Sequence, residues 1–272
     1  MGQPARLYER AAPKLGPLWH LDAGRTCFIG PLNYNAPHQH GAPVFLAGLY
    51  GTFRLRLAGG AWRSCRTAVI PAGVMHELDV NGEPIGVLYI EPTVDGQNAL
   101  ASLVASGEET DGALVGGAGE TLLLRALWED AASAGWAGEA LNDLLGFAST
   151  HACQHIDPRI ARAIHAIGAS MDEHLSVEKL ASLVGLSPHR FQHLFTQELG
   201  VPFRRYRSWM RMRDAIAAVA NGTSFTHAAH AAGFCDQAHF THDFRRTFGA
   251  PPSLSLSGVR ISGRKKQLDS MK

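Results

Sequence analysis

Between Ser176 and Ser253 the apolar positions pass twice through the same cycle. The first pass is Leu180-Ala-Ser-Leu-Val-Gly185, then Ser187, then Phe191, Leu194, Phe195 and Leu199, closed by Gly200. The second is Ala228-Ala-His-Ala-Ala-Gly233, then Asp236, then Phe240, Phe244 and Phe248, closed by Gly249. In each pass a short Ala-rich helix meets a Gly turn, a short polar residue caps a second helix, and apolar side chains recur at about one turn of helix. That is the sequence form of a helix-turn-helix, written twice. Pro202 to Ala220 reads as a helix joining the two units, stopped by Asn221-Gly222 and spanning roughly 28 Å. Asp157-Pro158 marks one more helix start, with Ile160, Ile164 and Ile167 as its buried stripe.

The polar positions are as informative as the apolar ones. The first unit turns His189, Arg190, Gln192, His193 and Thr196 outward, and the second turns out Gln237, Ala238, Thr241, His242 and Arg245. A solvated helix mixes Glu with Lys. These faces carry neutral or cationic hydrogen-bonding groups, which suit base edges and phosphates. Two copies are too few for a solenoid, so the repeat reads as a nucleic-acid-binding module.

Upstream the period changes from helical to two. Thr52-Phe-Arg-Leu-Arg-Leu57, with Gly59-Gly60 as a turn, then Thr67–Ile70 and Gly86–Ile90 read as short strands of a small antiparallel barrel or jelly roll. Ser106–Gly112 and Gly116–Gly119 read as a polar, Gly-rich connection. Leu123, Leu124, Leu127 and Trp128, then Leu141, Leu144 and Leu145, predict two amphipathic helices after it.

Charge sharpens the division. Net charge is only +1, but residues 1–154 hold nine Lys/Arg against fifteen Asp/Glu, and residues 155–272 hold sixteen against nine. An acidic half followed by a basic half fits a sensor joined to a DNA-binding module, with DNA binding residing from about residue 155 onward. Cys27, Cys65, Cys153 and Cys235 are scattered with no CxxC, as expected of reduced thiols in a cytoplasm. Met1 to Pro17 has no long apolar run and nothing approaches about eighteen apolar residues together, so neither a signal peptide nor a membrane span is expected.

The candidate chemistry in the first half is imidazole. His38-Gln39-His40 lies on one strand, whose period of two sends both rings to one face, and Pro71-Ala-Gly73-Val-Met-His76 can aim a third ring at them. Three neutral imidazoles can hold Zn, Ni or Fe. Equally, they can line a pocket for an organic effector. If a metal is held, its affinity is expected to fall on acidification through about pH 6.5. Glu77 and Asp79 read as surface charge.

These residues carry two resemblances. Ala231-Ala232-Gly233-Phe234, Asp236 and Phe240-x3-Phe244-Arg-Arg-x-Phe248-Gly249-x-x-Pro252-Ser253 resemble the signature of the AraC/XylS family of bacterial transcription regulators. His227-Ala228-Ala229 departs from the acidic residue and Val-Ala usual there, and His193 and His242 stand where Arg is common. The first half resembles a cupin, through HxH and PxGxxH, but Val44 and Phe45 stand where the cupin glutamate would be.

Together the resemblances imply an α+β protein. An antiparallel cupin-like barrel senses an effector in residues 1–105, and residues 106–154 form a linker with two amphipathic helices, which resemble the family's dimerisation helices and equally suit packing back on the barrel. A double helix-turn-helix follows in 155–257, and a mobile basic tail containing Arg264-Lys265-Lys266 in 258–272. They also imply a double-stranded DNA partner, RNA polymerase as a further partner of an activator, and no catalysis. The reading from another class is a cupin metalloenzyme with a basic helical appendage, against which the doubled helix-turn-helix weighs.

Overall fold

Alternating apolar residues build two facing sheets, while the helical periods build a bundle pressed against their open end. In the computed structural model the structure describes residues 15–22, 24–91, 100–149, 156–169 and 175–263. Cys153, the segment before Leu15 and the basic run Arg264-Lys265-Lys266 lie outside the described residues. Among the described residues no helix is long and apolar enough to cross a membrane.

The strands are β1 (Leu18–Leu21), β2 (Arg25–Pro31), β3 (Tyr34–His38), β4 (Val44–Gly48), β5 (Phe53–Leu57), β6 (Arg63–Cys65), β7 (Thr67–Ile70), β8 (His76–Asp79), β9 (Pro84–Ile90), β10 (Val104–Thr110), β11 (Ala113–Gly119) and β12 (Arg260–Gly263). Eight lie in the order β10-β11-β7-β4-β9-β2-β1-β12 and four in the order β3-β8-β5-β6. On β5 the alternation is complete: Phe53, Leu55 and Leu57 are buried between the sheets while Arg54 is exposed.

Two expectations need correction. The Gly-rich stretch after Ser106 is no linker; it forms β10 and β11, an antiparallel hairpin that extends the large sheet, with Leu114 opposite Val69. The stretch from Arg260 is not a free tail either. As β12 it pairs in parallel with β1, Trp19 opposite Ile261, which makes the otherwise antiparallel barrel mixed. Arg260 holds this return in place by donating to the carbonyls of Gly16, Asp130 and Trp128 and to the Ser133 hydroxyl.

The helices are α1 (Leu122–Glu129), α2 (Ala137–Ser149), α3 (Pro158–Ala169), α4 (Val177–Leu183), α5 (Pro188–Leu199), α6 (Phe203–Ala220), α7 (Phe225–Ala231) and α8 (Gln237–Phe248). Leu124, Leu127, Leu141 and Leu145 of α1 and α2 pack against Leu18, Ile29, Phe45 and Leu88 on the outer face of the large sheet. Their apolar stripe is therefore spent within the chain.

Candidate nucleic-acid interface and histidine cluster

Each helix-turn-helix unit is built from local signals that do as their chemistry requires. The Ser187 hydroxyl accepts from the Arg190 N–H at 3.3 Å at the head of α5, and Asp236 Oδ1 accepts from the His239 N–H at 2.7 Å at the head of α8. Both helices end on a glycine at φ 71°, Gly200 and Gly249, a left-handed cap that glycine adopts without strain. Phe191, Leu194, Phe195 and Leu199 are buried on α5, and Phe240, Phe244 and Phe248 on α8.

The expected reading residues fall outward. His189, Arg190, Gln192, His193 and Thr196 are exposed on α5. On α8 Gln237, Ala238, His242 and Arg245 are exposed and Thr241 is half-buried. Thr196 returns its hydroxyl to the Gln192 carbonyl at 2.9 Å, and Thr226 on α7 donates to Gln237 Oε1 at 2.9 Å. His242 and His239 both lie 3.5 Å from the Asp243 carboxylate.

Not every arginine of α6 serves a surface. Arg213 is buried and ion-paired to Glu91 at 2.6 Å, while it also donates to the Thr26 hydroxyl at 2.8 Å and the Asp22 carbonyl. Glu91 accepts further from the Tyr206 hydroxyl at 2.9 Å and Trp209 Nε1 at 3.3 Å. Arg211 caps α7 by donating to the Ala232 and Gly233 carbonyls, its guanidinium 4.4 Å from the Phe234 ring centroid. Arg213 therefore joins the two halves and serves no outer surface. Its signal was present: Arg213 falls four residues after Trp209 and seven after Tyr206, on the buried stripe of its helix, and Glu91 directly follows the apolar strand β9.

The three histidines meet. Their ring centroids are 4.2 Å apart for His38 and His76 and 4.8 Å for the other two pairs, and all three are buried. One nitrogen from each lies within 4.8 Å of the others. His38 closes β3 and His76 opens β8, paired across the small sheet; His40 lies two residues past the end of β3 and still points inward. His38 and His76 are each oriented through Nδ1, which lies 2.7 Å from the Ala36 carbonyl and 2.9 Å from the Val74 carbonyl, so in the neutral ring Nδ1 donates and Nε2 keeps its lone pair. His76 Nε2 is buried with no hydrogen-bond partner. Burial drives all three pKa values below the ordinary imidazole value, that of His76 to about 4, with charge repulsion from His76 adding to the shift of His38 and His40. Burial thus favours the neutral form of all three rings.

A cavity of about 40 Å³ adjoins the cluster, walled by Trp19, Phe28 and Tyr89 of the barrel and by Phe244, Phe248 and Leu254 of the helical half. His40 is 5.8 Å from Phe248 and 6.3 Å from Trp209, centroid to centroid. The Ala36 N–H donates to the Gly249 carbonyl at 2.9 Å, and Asn35 Nδ2 donates to the Phe248 carbonyl at 2.6 Å. The end of α8 therefore rests on the strand that carries His38. Glu77 faces away from the cluster, yet it is buried rather than superficial: Arg56 and the Tyr34 hydroxyl donate to it, and Arg56 foremost holds its carboxyl below the usual range. Asp79 pairs with Arg54.

Comparison with known proteins agrees with this layout. Residues 180–255 match the family model described as a helix-turn-helix domain. The arabinose operon regulatory protein of Salmonella typhimurium is 31% identical over 108 residues, 39% of this chain and 35% of that one. The HTH-type transcriptional regulator RipA of Corynebacterium glutamicum is 31% identical over 102 residues, 37% of this chain and 31% of that one. The chain thus spans about a third of the length of these curated relatives. Over most of the chain the fold is that of ToxT from Vibrio cholerae: TM-score 0.56 at 12% identity, covering 88% of this chain and 100% of that one. A structure of ToxT with an unsaturated fatty acid bound gives a TM-score of 0.55 at 14% identity, covering 88% and 98%.

Proposed function

We propose that this chain is, through its C-terminal half, a regulator of the AraC/XylS family, and that it is a sequence-specific DNA-binding protein governed by its barrel. The observation that carries the reading is the pair of matched helix-turn-helix units, whose outer faces offer Gln, His, Thr and Arg. In this reading α5 and α8 enter successive major grooves of double-stranded DNA, and the protein works in the cytoplasm. RNA polymerase is the further partner if it activates, and a second copy of the chain is a candidate partner at paired sites. The relatives are transcription regulators, so no catalytic role is assigned.

The effector site is the histidine cluster. His38, His40 and His76 suit a divalent cation of the Zn, Ni or Fe class: the rings are neutral, two are oriented by carbonyls, and one buried nitrogen lone pair has no other use. A cation there would supply a fixed positive charge tying β3, the His40 turn and β8 together. An uncharged organic effector is the second reading, favoured by the apolar cavity wall and restricted by its small volume.

The test uses the whole chain. Binding to duplex DNA, followed by fluorescence anisotropy, is expected to weaken steeply and linearly in log–log form as salt rises. Metal content after purification, together with the thermal midpoint in the presence of each cation or metabolite, then separates the two effector readings. Salt-insensitive or absent DNA binding would overturn the regulator.

A further inference from the structure

A second cavity, of about 370 Å³, opens where the barrel meets α6 and α8, and it differs in kind from the histidine chamber. Its walls include Gln39 of the barrel, Arg204, Arg205 and Ser208 of α6, and Asp243 and Arg246 of α8. Among the described residues none of these three arginines is ion-paired, and the one carboxylate in the cleft, Asp243, is turned to His239 and His242. Arg205 is half-buried, and burial together with the nearby charge of Arg246 pulls its pKa below the ordinary arginine value. Two guanidiniums close enough to repel, in a cleft with amide and hydroxyl groups, make a receptor for an anion.

DNA phosphate is the obvious alternative occupant, and the geometry of α8 argues against it. At 100° per residue, His239, Asp243, Arg246 and Thr247, which line the cleft, centre about 150° around α8 from Gln237, Ala238, Thr241, His242 and Arg245. On α8 the cleft runs along His239, Asp243, Arg246 and Thr247, and the end of that helix abuts β3. Successive residues of the barrel segment face opposite ways: His38 and His40 line the inner chamber, and Gln39 between them lines the cleft. One stretch of backbone is thus the wall between two cavities.

We propose that this cleft binds a compact oxyanion, a dicarboxylate or a phosphate ester, held by Arg205 and Arg246 and capped from the barrel by Gln39. The ligand then bridges the sensor and the second helix-turn-helix directly, independently of whether the histidines hold a metal. Occupancy neutralises the arginine pair and favours the arrangement in which β3 and α8 are docked.

The test is the thermal midpoint and titration calorimetry of the full chain with inorganic phosphate and with succinate, at constant ionic strength, against chloride. The better probe at about 10 mM is expected to raise the midpoint by several degrees over chloride. Whichever probe does so names the class. Arg246→Gln, at an exposed position that the fold tolerates, is expected to abolish that rise, and Gln39→Ala to weaken the anion at least about threefold. In chloride, Arg246→Gln is expected to bind DNA within about twofold of the parent. The proposal is overturned if neither probe exceeds chloride, or if the rise persists in Arg246→Gln, which would mean an adventitious ion only. It is also overturned if Arg246→Gln loses about tenfold in DNA affinity with a shallower salt slope, which would give the cleft to DNA phosphate.

Discussion

The two helix-turn-helix units share a sequence pattern and differ in what stands behind them. Behind α5 lies a core of its own: Phe191, Phe195 and Leu199 pack with Ile160, Leu180, Phe203 and Tyr206, and among the described residues the barrel's only buried member of that cluster is Ala72. Behind α8 the core is the barrel's: Phe240, Phe244 and Phe248 belong to one cluster with Trp19, Phe28, Ile85 and Tyr89. Both helices touch a histidine-bearing segment at their C-terminal ends. Gly200 meets the Ala72-Gly73 turn that precedes His76, and Gly249 meets Ala36 and His38. The first contact is slight and the second tight. The first unit therefore has a core of its own, whereas the second shares the core of the barrel. A fragment from about residue 155 onward, in which DNA binding is expected to reside, would expose Phe244, Phe248 and the Arg213 charge.

Removing the anchor between barrel and helices should give the largest effect. Glu91→Ala strips the acceptor from Arg213, Tyr206 and Trp209 at once and leaves a buried, unpaired guanidinium. Loss of one partner of a buried pair costs about 3–5 kcal/mol, so the urea midpoint is expected to drop sharply. Arg207→Ala, on the same helix but half-exposed and only 5.8 Å over the Phe203 ring, is expected to cost less than about 1 kcal/mol. Equal losses from the two would erase the distinction between an anchored and a free face of α6.

The glycine caps allow the comparison to be made at matched positions. Gly200 and Gly249 have the same φ of 71°, so the backbone penalty for Ala is the same, about 1–2 kcal/mol. Their surroundings are not the same. A Cβ at 200 would sit 3.5 Å from the Ala72 carbonyl oxygen, an ordinary contact, whereas one at 249 would sit 2.4 Å from the Ala36 oxygen and 2.7 Å from His38 Nδ1. Gly200→Ala is expected to cost about 1 kcal/mol and Gly249→Ala about 3 kcal/mol in chemical denaturation. Only the second should also alter the response to a barrel effector, because only it pushes β3 and His38 away from α8. Identical costs would mean that α8 is no more tightly docked than α5.

What could be read in the sequence follows the range of the forces involved. Caps, glycines and the phenylalanine spacing are local, and Ser187, Asp236, Gly200 and Gly249 do what their neighbours in sequence foretell. The histidine cluster was legible in its residues, although His40 lies past the end of β3 and not on one strand with His38 as expected, and a Pro-Gly turn brings His76. The β10–β11 hairpin was misread because Ser106, Gly107, Glu108 and Glu109 are exposed and carry little apolar alternation. The pairing of β12 with β1 joins residues far apart in sequence, and no local pattern encodes it; for Arg213 the helical stripe foretold burial, but not that Glu91 would meet it. Glu77 misled for a related reason: alternation gave its side of the strand correctly, but Tyr34 and Arg56, which cover it, come from two other strands.

The smallest contrast lies on the outer faces of α5 and α8, proposed to read DNA. Gln192 and Gln237 both stand exposed near the start of their helices, and a glutamine amide can pair bidentately with adenine, using its oxygen and its nitrogen together. The amide of Gln192 has no hydrogen-bond partner among the described residues, so both atoms are available. Gln237 already accepts the Thr226 hydroxyl on its oxygen, at 2.9 Å, and must surrender that bond or read with its nitrogen alone. Gln192→Ala is therefore expected to cost about 2 kcal/mol on the best duplex and under about 0.5 kcal/mol on random DNA, while Gln237→Ala costs about 1 kcal/mol on the best duplex. Thr226→Ala sharpens the assignment: with the oxygen of Gln237 released, base preference at the second half-site should change while affinity for random DNA stays the same. Arg245→Ala, by contrast, should weaken specific and random duplexes alike and reduce the salt slope by about one. Binding isotherms on matched and single-base-changed duplexes measure all four. If Gln192→Ala and Arg245→Ala lower specific and random affinity in the same proportion, the outer faces of α5 and α8 touch only the phosphate backbone, and base reading must come from elsewhere.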